Sequence, residues 1–164
     1  MKEHFPGRKT KYLFDNLISK AFPTNISSQI YVEPFGGTFA VGNLLNDNQY
    51  KKIYNDINTY DFKIDADIIE HMDFEDLIDK YDSPLTFFYV DPPYYDKEYV
   101  YGLKKRDTDF HLRLFYKLKH IKGKFVLSYL NNPFITNLYK DFTIITNETD
   151  RNTMRSHEIV IKNF

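Results

Sequence analysis

The tetrad Asp91-Pro92-Pro93-Tyr94 is the segment of this sequence with the clearest chemical character. It directly follows the apolar run 85–90, which is typical of a buried β-strand. Two prolines restrict the backbone where the strand ends, so the Asp91 carboxylate and the adjacent carbonyl groups project rigidly from the sheet. Tyr94 adds a flat ring beside these acceptors. Hydrogen-bond acceptors next to a stacking ring suit the exocyclic amino group of a planar base.

A second candidate segment, Glu33-Pro34-Phe35-Gly36-Gly37-Thr38, follows the predicted strand 30–32. Its glycines allow the backbone to approach a ligand closely at a strand-to-helix turn. The spacing fits neither the dinucleotide fingerprint nor the phosphate-binding loop. An acid beside the turn favours a cationic ligand over a phosphate. A purely structural turn is an equally open interpretation.

Asn55-Asp56 ends the next predicted strand, near 52–54. A carboxylate in this position can accept hydrogen bonds from a ribose diol, as in nucleotide-binding sheets. The alternative is that Asp56 caps a helix that follows.

Apolar runs alternate with helical patterns along the chain, which predicts an α/β fold with a mostly parallel sheet and helices on both faces. Strands are predicted at 30–32, 52–54, 85–90, 124–129, 142–146 and 158–161, and helices at 11–22, 39–45, 57–81, 110–121 and 133–139. Ligands bind beyond the carboxyl ends of parallel strands. We therefore expect Glu33, Asp56, Asp91 and Ser128-Tyr129 to converge on one site.

The length and composition of the chain restrict the kinds of function that it can have. A chain of 164 residues suits one domain, residues 1–164. The absence of cysteine excludes disulfides, thiolate metal sites and cysteine nucleophiles, and the five histidines show no metal-ligand spacing. No apolar run approaches the roughly 20 residues of a membrane span, and the first residues lack a signal-peptide core. We expect a cytoplasmic protein with no metal site and no membrane partner.

The charge distribution is more informative than the net charge of −1. Residues 54–95 carry a net charge of −9 and residues 97–124 a net charge of +6. Within the second segment, four cations lie beside aromatic residues, a combination that suits the phosphates and bases of nucleic acid. These predicted nucleic-acid contacts are Lys97, Lys104, Lys105 and Arg106. The alternative is a solvated loop and helix face.

The order of these motifs resembles that of the Dam-type DNA adenine-N6 methyltransferases. Asp91-Pro92-Pro93-Tyr94 matches their catalytic D-P-P-Y, residues 31–37 match their cofactor loop, and Asn55-Asp56-Ile57-Asn58 matches their ribose-binding strand end. Further matches are Phe5-Pro6-Gly7-Arg8-Lys9 to the N-terminal motif, Asp73-Phe74 to the pair that holds the cofactor adenine, 124–129 to the strand that supports the base pocket, and 157–163 to the closing strand.

The resemblance implies a Rossmann-like class I methyltransferase fold, S-adenosyl-L-methionine as cofactor and DNA as substrate, with transfer of a methyl group to adenine N6. It implies catalytic roles for Asp91, Pro92 and Tyr94. It further implies a cofactor site formed by Lys9, Glu33, Phe35, Gly37, Asp56, Asp73, Phe74 and Asp91.

The sequence departs from the family pattern in three places. Arg8 stands where the family usually has a second glycine, and Phe39 occupies an often small position, where it would narrow the cofactor cleft. Only 34 residues separate Asp56 from Asp91, and nine of them are acidic, whereas the family usually inserts its target-recognition helices there.

These departures leave three functions open. The first is an active DNA adenine methyltransferase whose target recognition is minimal or supplied by a protein partner or by self-association. The second is a non-catalytic, methyltransferase-like nucleic-acid-binding subunit that needs a partner. The third is a methyltransferase that acts on RNA or on a free nucleotide.

Overall fold

The computed structural model describes residues 9, 11–24, 28–45, 49–146 and 158–164. In this part of the chain, seven strands form one sheet in the order β3-β2-β1-β4-β5-β7-β6. The strands are β1 (Ile30–Glu33), β2 (Lys51–Asn55), β3 (Ile68–Glu70), β4 (Thr86–Val90), β5 (Lys124–Leu130), β6 (Thr143–Thr146) and β7 (Glu158–Lys162). The first five pair in parallel, and β7 runs antiparallel to β5 and β6.

The central strands are apolar on both faces because both faces are covered. All five residues of β4 are buried. Val32 of β1 lies opposite Ile53 of β2 on one side and Phe88 of β4 on the other. This register places the carboxyl ends of the three strands side by side at one edge of the sheet.

Helices pack on both faces of the sheet, which confirms the predicted fold class. They are α1 (Lys11–Leu13) and α2 (Ser19–Ala21), joined by the π-helical segment Phe14–Ile18, and α3 (Phe74–Tyr81), α4 (Thr108–Lys119) and α5 (Pro133–Leu138). Successive residues of one strand enter different cores: Val32 packs with α3, α4 and α5, whereas Tyr31 packs with Leu17 and Ile18.

Two predicted helices are wrong in whole or in part. The segment 39–45 contains only a 3-10 turn over Gly42–Leu44, because Phe39 adopts a left-handed conformation with φ 55°. Of residues 57–81, only α3 is helical. The acidic segment before it contains β3, whose residue Ile68 pairs with Ile53. Pairing with β2, which makes β3 the edge strand of the sheet, overrides the local helical pattern there.

Each of the three longer helices begins at a side chain that caps it. Asp73 accepts a hydrogen bond from the Glu75 amide at 2.9 Å, Asp107 accepts one from Phe110, and Asn132 accepts one from Phe134. Among the described residues, no helix has both the length and the apolar character needed to cross a membrane.

Candidate active site

A cavity of about 350 Å³ opens at the carboxyl ends of β1, β2 and β4. All the residues that the resemblance assigned to the cofactor line it: Lys9, Glu33, Phe35, Gly37, Asp56, Asp73, Phe74 and Asp91. Sequence reasoning had not assigned several other lining residues, among them Tyr60, Met72, Tyr101, Leu103, Phe110 and Arg113. Most of these lie on loops or on α4, outside any motif.

The glycine turn after β1 is clamped to the end of β2. The Gly36 amide donates a hydrogen bond to the Asn55 carbonyl at 2.7 Å, and the Tyr54 hydroxyl donates one to the Gly37 carbonyl at 3.0 Å. A Cβ atom on Gly36 would lie 2.3 Å from the Tyr54 ring, so a larger residue does not fit. Gly37 has φ 48° and donates its amide to Oδ2 of Asp56 at 3.0 Å.

Asn55 is a positioning residue that no sequence motif identified as such. Its amide nitrogen donates to the carbonyls of Pro34 and Met72, at 2.9 Å and 3.0 Å. Its oxygen accepts from the Met72 amide at 2.9 Å. One buried side chain therefore joins the ends of β1 and β2 to the loop that precedes Asp73.

Glu33 is 2% exposed and lines the cavity. Its Oε1 accepts from the Tyr31 hydroxyl at 2.6 Å and from the Gly42 amide at 2.7 Å. Burial raises the pKa of Glu33 to about 8, although these two donors oppose the shift. A cation in the cavity would favour the carboxylate form.

An aromatic wall closes another side of the cavity. The ring of Phe74 lies 5.4 Å from that of Phe35 and 5.5 Å from that of Phe110, between ring centroids. Arg113 covers Phe74, with its guanidinium carbon 5.1 Å from the ring centroid, and forms an ion pair with Asp73 at 3.2 Å. Asp73 also caps α3, so its carboxylate is held by both contacts.

The tetrad Asp91-Pro92-Pro93-Tyr94 contacts Lys9, far before it in the sequence, and Glu158, far after it. Nζ of Lys9 lies 2.7 Å from Oδ1 of Asp91 and 2.5 Å from the Tyr94 hydroxyl. That hydroxyl donates to Oε1 of Glu158 at 3.1 Å. Glu158 begins the antiparallel strand β7, which is why it reaches the edge where the parallel strands end. In the sequence, the only feature that could have indicated a site role for Glu158 is its position as an acid at the start of the last predicted strand.

This cluster holds two carboxylates and one ammonium group in a buried environment. Burial raises the pKa of Asp91, and the charge of Lys9 opposes that shift. Burial likewise raises the pKa of Glu158. For Lys9, burial lowers the pKa, but Asp91 and Glu158 together outweigh it and raise the pKa. Among the described residues, no donor reaches Oε2 of Glu158.

Several predicted site residues lie away from the cavity. Ser128-Tyr129 is fully buried inside β5 and does not line the cavity: the Ser128 hydroxyl contacts that of Tyr89 at 3.0 Å, and the Tyr129 ring lies 5.8 Å from that of Tyr94. Phe39 is also fully buried, in the core on the α1–α2 side, and does not narrow the cleft. Pro92 and Tyr94 are not among the residues that line the cavity.

The four cations predicted to contact nucleic acid are all exposed. Two of them are paired with Asp96: Nζ of Lys105 lies 3.3 Å and Nε of Arg106 lies 3.0 Å from its Oδ1. Residues 5–8 and His157, which carry part of the resemblance, lie outside the described residues.

The strand order, with its antiparallel β7, is that of a class I methyltransferase fold, and Asp91 and Pro93 of the D-P-P-Y tetrad line the cavity at the strand ends. The family model of the D12 class N6 adenine-specific DNA methyltransferases matches residues 5–65 and 59–153. The chain therefore belongs to this family.

The fold has a counterpart among solved structures. Precorrin 8W decarboxylase of Methanobacterium thermoautotrophicum is similar with a TM-score of 0.57 at 13% sequence identity, over 98% of this chain and 93% of that one. At this identity the likeness concerns the fold alone. A comparison with curated proteins gave no match.

Proposed function

We propose that this chain transfers a methyl group from S-adenosyl-L-methionine to the N6 amino group of adenine in DNA. The observation that carries the proposal is that Asp91 lines the same cavity as Glu33, Asp56 and the aromatic wall. An acceptor for the amino group of a base and a cradle for a cationic nucleoside thus face one space. The family of the chain supports the same reaction.

The residues of the cavity fit this cofactor. Asp56, at the end of β2, is placed to accept hydrogen bonds from a ribose diol, and Phe35 and Phe74 offer faces for a purine. Glu33 offers a carboxylate to a positive charge. Because both of its protein donors reach Oε1, Oε2 is the oxygen left for a ligand. When bound, the cofactor supplies a methyl group on a positively charged sulfur.

Asp91 and the Pro92 carbonyl are the acceptors for the target amino group. The lone pair of that nitrogen is conjugated into the adenine ring, so the nitrogen is a poor nucleophile. Hydrogen bonds from its N–H groups to fixed acceptors draw the lone pair out of conjugation. The new N–C bond forms as the methyl–sulfur bond breaks, so the nitrogen gains the positive charge that the sulfur loses. Asp91 stabilises this charge until the proton passes to water.

Lys9 prepares Asp91 for this role. Its ammonium group binds Oδ1 at 2.7 Å, which orients the carboxylate and leaves Oδ2 for the base. The positive charge also opposes the pKa rise that burial causes, so it favours the ionised acceptor. Tyr94, fixed by the same ammonium group, is the proposed stacking partner of the base.

This chain has few residues in the stretch where the family usually carries its target-recognition helices. Between Asp56 and Asp91 it has a loop, the short strand β3 and α3, with no room for further helices. The two matched pieces of the family model overlap at residues 59–65, in this shortened stretch. We propose that the isolated chain reads a short or degenerate site and that a protein partner or self-association adds specificity.

The test is methyl transfer from radiolabelled S-adenosyl-L-methionine to duplex DNA, single-stranded DNA and RNA, followed by analysis of the methylated nucleoside. N6-methyladenine in DNA is the expected product. Cofactor binding without transfer to any of the three would favour a non-catalytic subunit, and transfer to RNA alone would overturn the DNA assignment. The Asp79→Ala variant, which changes an exposed acid of α3, serves as a control.

A further inference from the structure

The loop 97–106, which we term the aromatic–basic loop, displays an unusual amount of apolar surface. Of the eleven large hydrophobic side chains that are exposed in the described part of the chain, four lie within five consecutive residues of this loop. They are Tyr99 (54% exposed), Val100 (45%), Tyr101 (37%) and Leu103 (42%). Exposed apolar side chains clustered in this way suit an interaction surface.

The backbone of the loop is ordered by its own hydrogen bonds. Glu98–Tyr101 forms a 3-10 turn, and the amides of Gly102 and Leu103 close it on the carbonyls of Tyr99 and Glu98. Gly102 has φ 74°, a conformation that favours glycine. The apolar side chains are therefore held outward by the turn.

A buried chain of polar groups anchors the loop to the protein. Glu98 and His111 are both fully buried, and Oε1 of Glu98 lies 2.9 Å from Nε2 of His111. Oε2 of Glu98 accepts the Arg106 amide at 3.0 Å, which ties the two ends of the loop together. Nδ1 of His111 lies 2.6 Å from the hydroxyl of Tyr129, in β5. These contacts fix the loop, and with it the exposed apolar side chains, to strand β5 of the core.

The loop lies beside the cavity. Tyr101 and Leu103 line the cavity. Burial, and to a smaller extent the negative charge of Asp91, raises the pKa of Tyr101 to about 12. Tyr99 and Val100 stand on the same turn, outside the lining. Cations flank the apolar residues on both sides, with Lys97 before them and Lys104 after them, and both are exposed. A polyanion with an apolar interior fits such a surface.

We propose that Tyr99 and Val100 form a wedge that enters duplex DNA where the target adenine leaves the base stack. This inference rests on the proposed function and assigns to the loop a step that precedes methyl transfer. A base must be unstacked and unpaired before it reaches Asp91, which costs free energy. Apolar side chains inserted between base steps offset such a cost, and the flanking cations hold the adjacent phosphates.

The experiment compares two duplexes that differ only in the partner of the target adenine, which is thymine in one and an abasic site in the other. The double variant Tyr99→Ala/Val100→Ser is expected to lose about tenfold or more in kcat/KM on the paired duplex, the equivalent of ~1.4 kcal/mol. On the abasic duplex, where the adenine is already unpaired, it should stay within about twofold of the wild type. Tyr116→Ala, at an exposed tyrosine of α4, is the matched control.

A second readout needs no methyl transfer. 2-Aminopurine is placed at each adenine position of a duplex in turn, and its fluorescence rises when the base leaves the stack. We expect the wild type and Tyr116→Ala to produce the rise, and the double variant to lose most of it. A dependence on Tyr99 and Val100 without any methylation would support the wedge and contradict the proposed function.

Two results would overturn the wedge. The first is an equal loss on the paired and abasic duplexes, which would reduce the loop to a general contributor to affinity. The second is a double variant whose ratio of kcat/KM between the paired and abasic duplexes equals that of the wild type, while sedimentation velocity shows a dimer for the wild type and a monomer for the variant. This result would make the patch a protein interface.

Discussion

The two halves of the site are held together in different ways. In the half that we propose binds the cofactor, Glu33, Gly37 and Asp56 lie within a short stretch of chain, and backbone groups and Asn55 fix them. In the half that we propose is catalytic, Asp91 contacts Lys9, which is 82 residues away, and Tyr94 contacts Glu158, 64 residues away. The first half depends on local turns and the second on buried charges that distant elements bring together.

This difference has energetic consequences. Removing one partner of a buried charge cluster leaves the others without compensation, whereas removing one acceptor from a set of turns costs about one hydrogen bond. We therefore expect substitutions in the catalytic half to have larger effects than those in the cofactor half, and exposed cations to have the smallest.

The largest expected effect comes from Asp91→Ala, which should abolish transfer while cofactor binding largely persists. Loss of a fixed charge-stabilising contact costs on the order of 3 kcal/mol or more in the barrier. The measurement is single-turnover methylation beside calorimetric titration of the cofactor. A variant that retains more than about a tenth of the rate, a loss below ~1.4 kcal/mol, would contradict the assignment.

Lys9→Met tests whether the ammonium group keeps Asp91 ionised. Without the ammonium group the pKa of Asp91 rises further, so Asp91 becomes protonated at a higher pH than in the wild type. We expect the acidic limb of the kcat/KM profile to move upward by about 1–3 pH units. Lys11→Met changes an exposed lysine in the adjacent turn and should leave the profile in place. A uniform loss at all pH values would indicate a structural role only, and thermal unfolding of both variants checks the fold.

Asp56→Ala should weaken cofactor binding more than it slows saturated turnover. Loss of a charged hydrogen-bond acceptor costs about 1.5–3 kcal/mol. Asp61→Ala, at an exposed acid of the following loop, is the control. Wild-type affinity in the Asp56 variant would remove this residue from the cofactor site and leave it as a turn residue that accepts the Asn58 amide.

Glu33 links cofactor binding to pH. Its pKa, raised by burial to about 8, keeps it mostly protonated at neutral pH without ligand. A cation lowers that pKa, so binding should release a proton and tighten as the pH rises toward 8. Calorimetry in buffers of different ionisation enthalpy measures the proton. Glu33→Gln should abolish the release, and an unchanged release would place its source elsewhere.

The smallest effect on chemistry is expected from Lys104→Ala/Lys105→Ala/Arg106→Ala. These groups are exposed, and two already pair with Asp96. DNA affinity should fall about equally for all sequences, and the log–log salt slope should shrink by about 0.9 for each phosphate that the variant no longer neutralises. A triple alanine variant of the exposed Lys51, Lys119 and Lys122 controls for net charge. A sequence-dependent loss would show that the loop reads bases.

That Glu33, Gly37 and Asp56 line one cavity could be predicted from sequence because these residues follow strands in contiguous motifs. A predicted strand that ends at Glu33 and a glycine turn places those residues at the carboxyl edge of a parallel sheet, where ligands bind. The partners of Asp91 could not be predicted this way, since they depend on the register of β7 and on where the chain near Lys9 lies. The same limit applied to β3, where pairing with β2 decided the structure, and to Phe39, whose left-handed backbone turns its ring into the core.

The antiparallel return of β7 has a consequence for the order in which the enzyme is made. Glu158 joins the catalytic cluster only when β7 has paired with β5, so a nascent chain on the ribosome holds Lys9 and Asp91 long before their last partner is synthesised. Contacts between such distant residues close large loops and form late in folding. The charge cluster around Asp91 is therefore completed only after β7 has been added to the sheet.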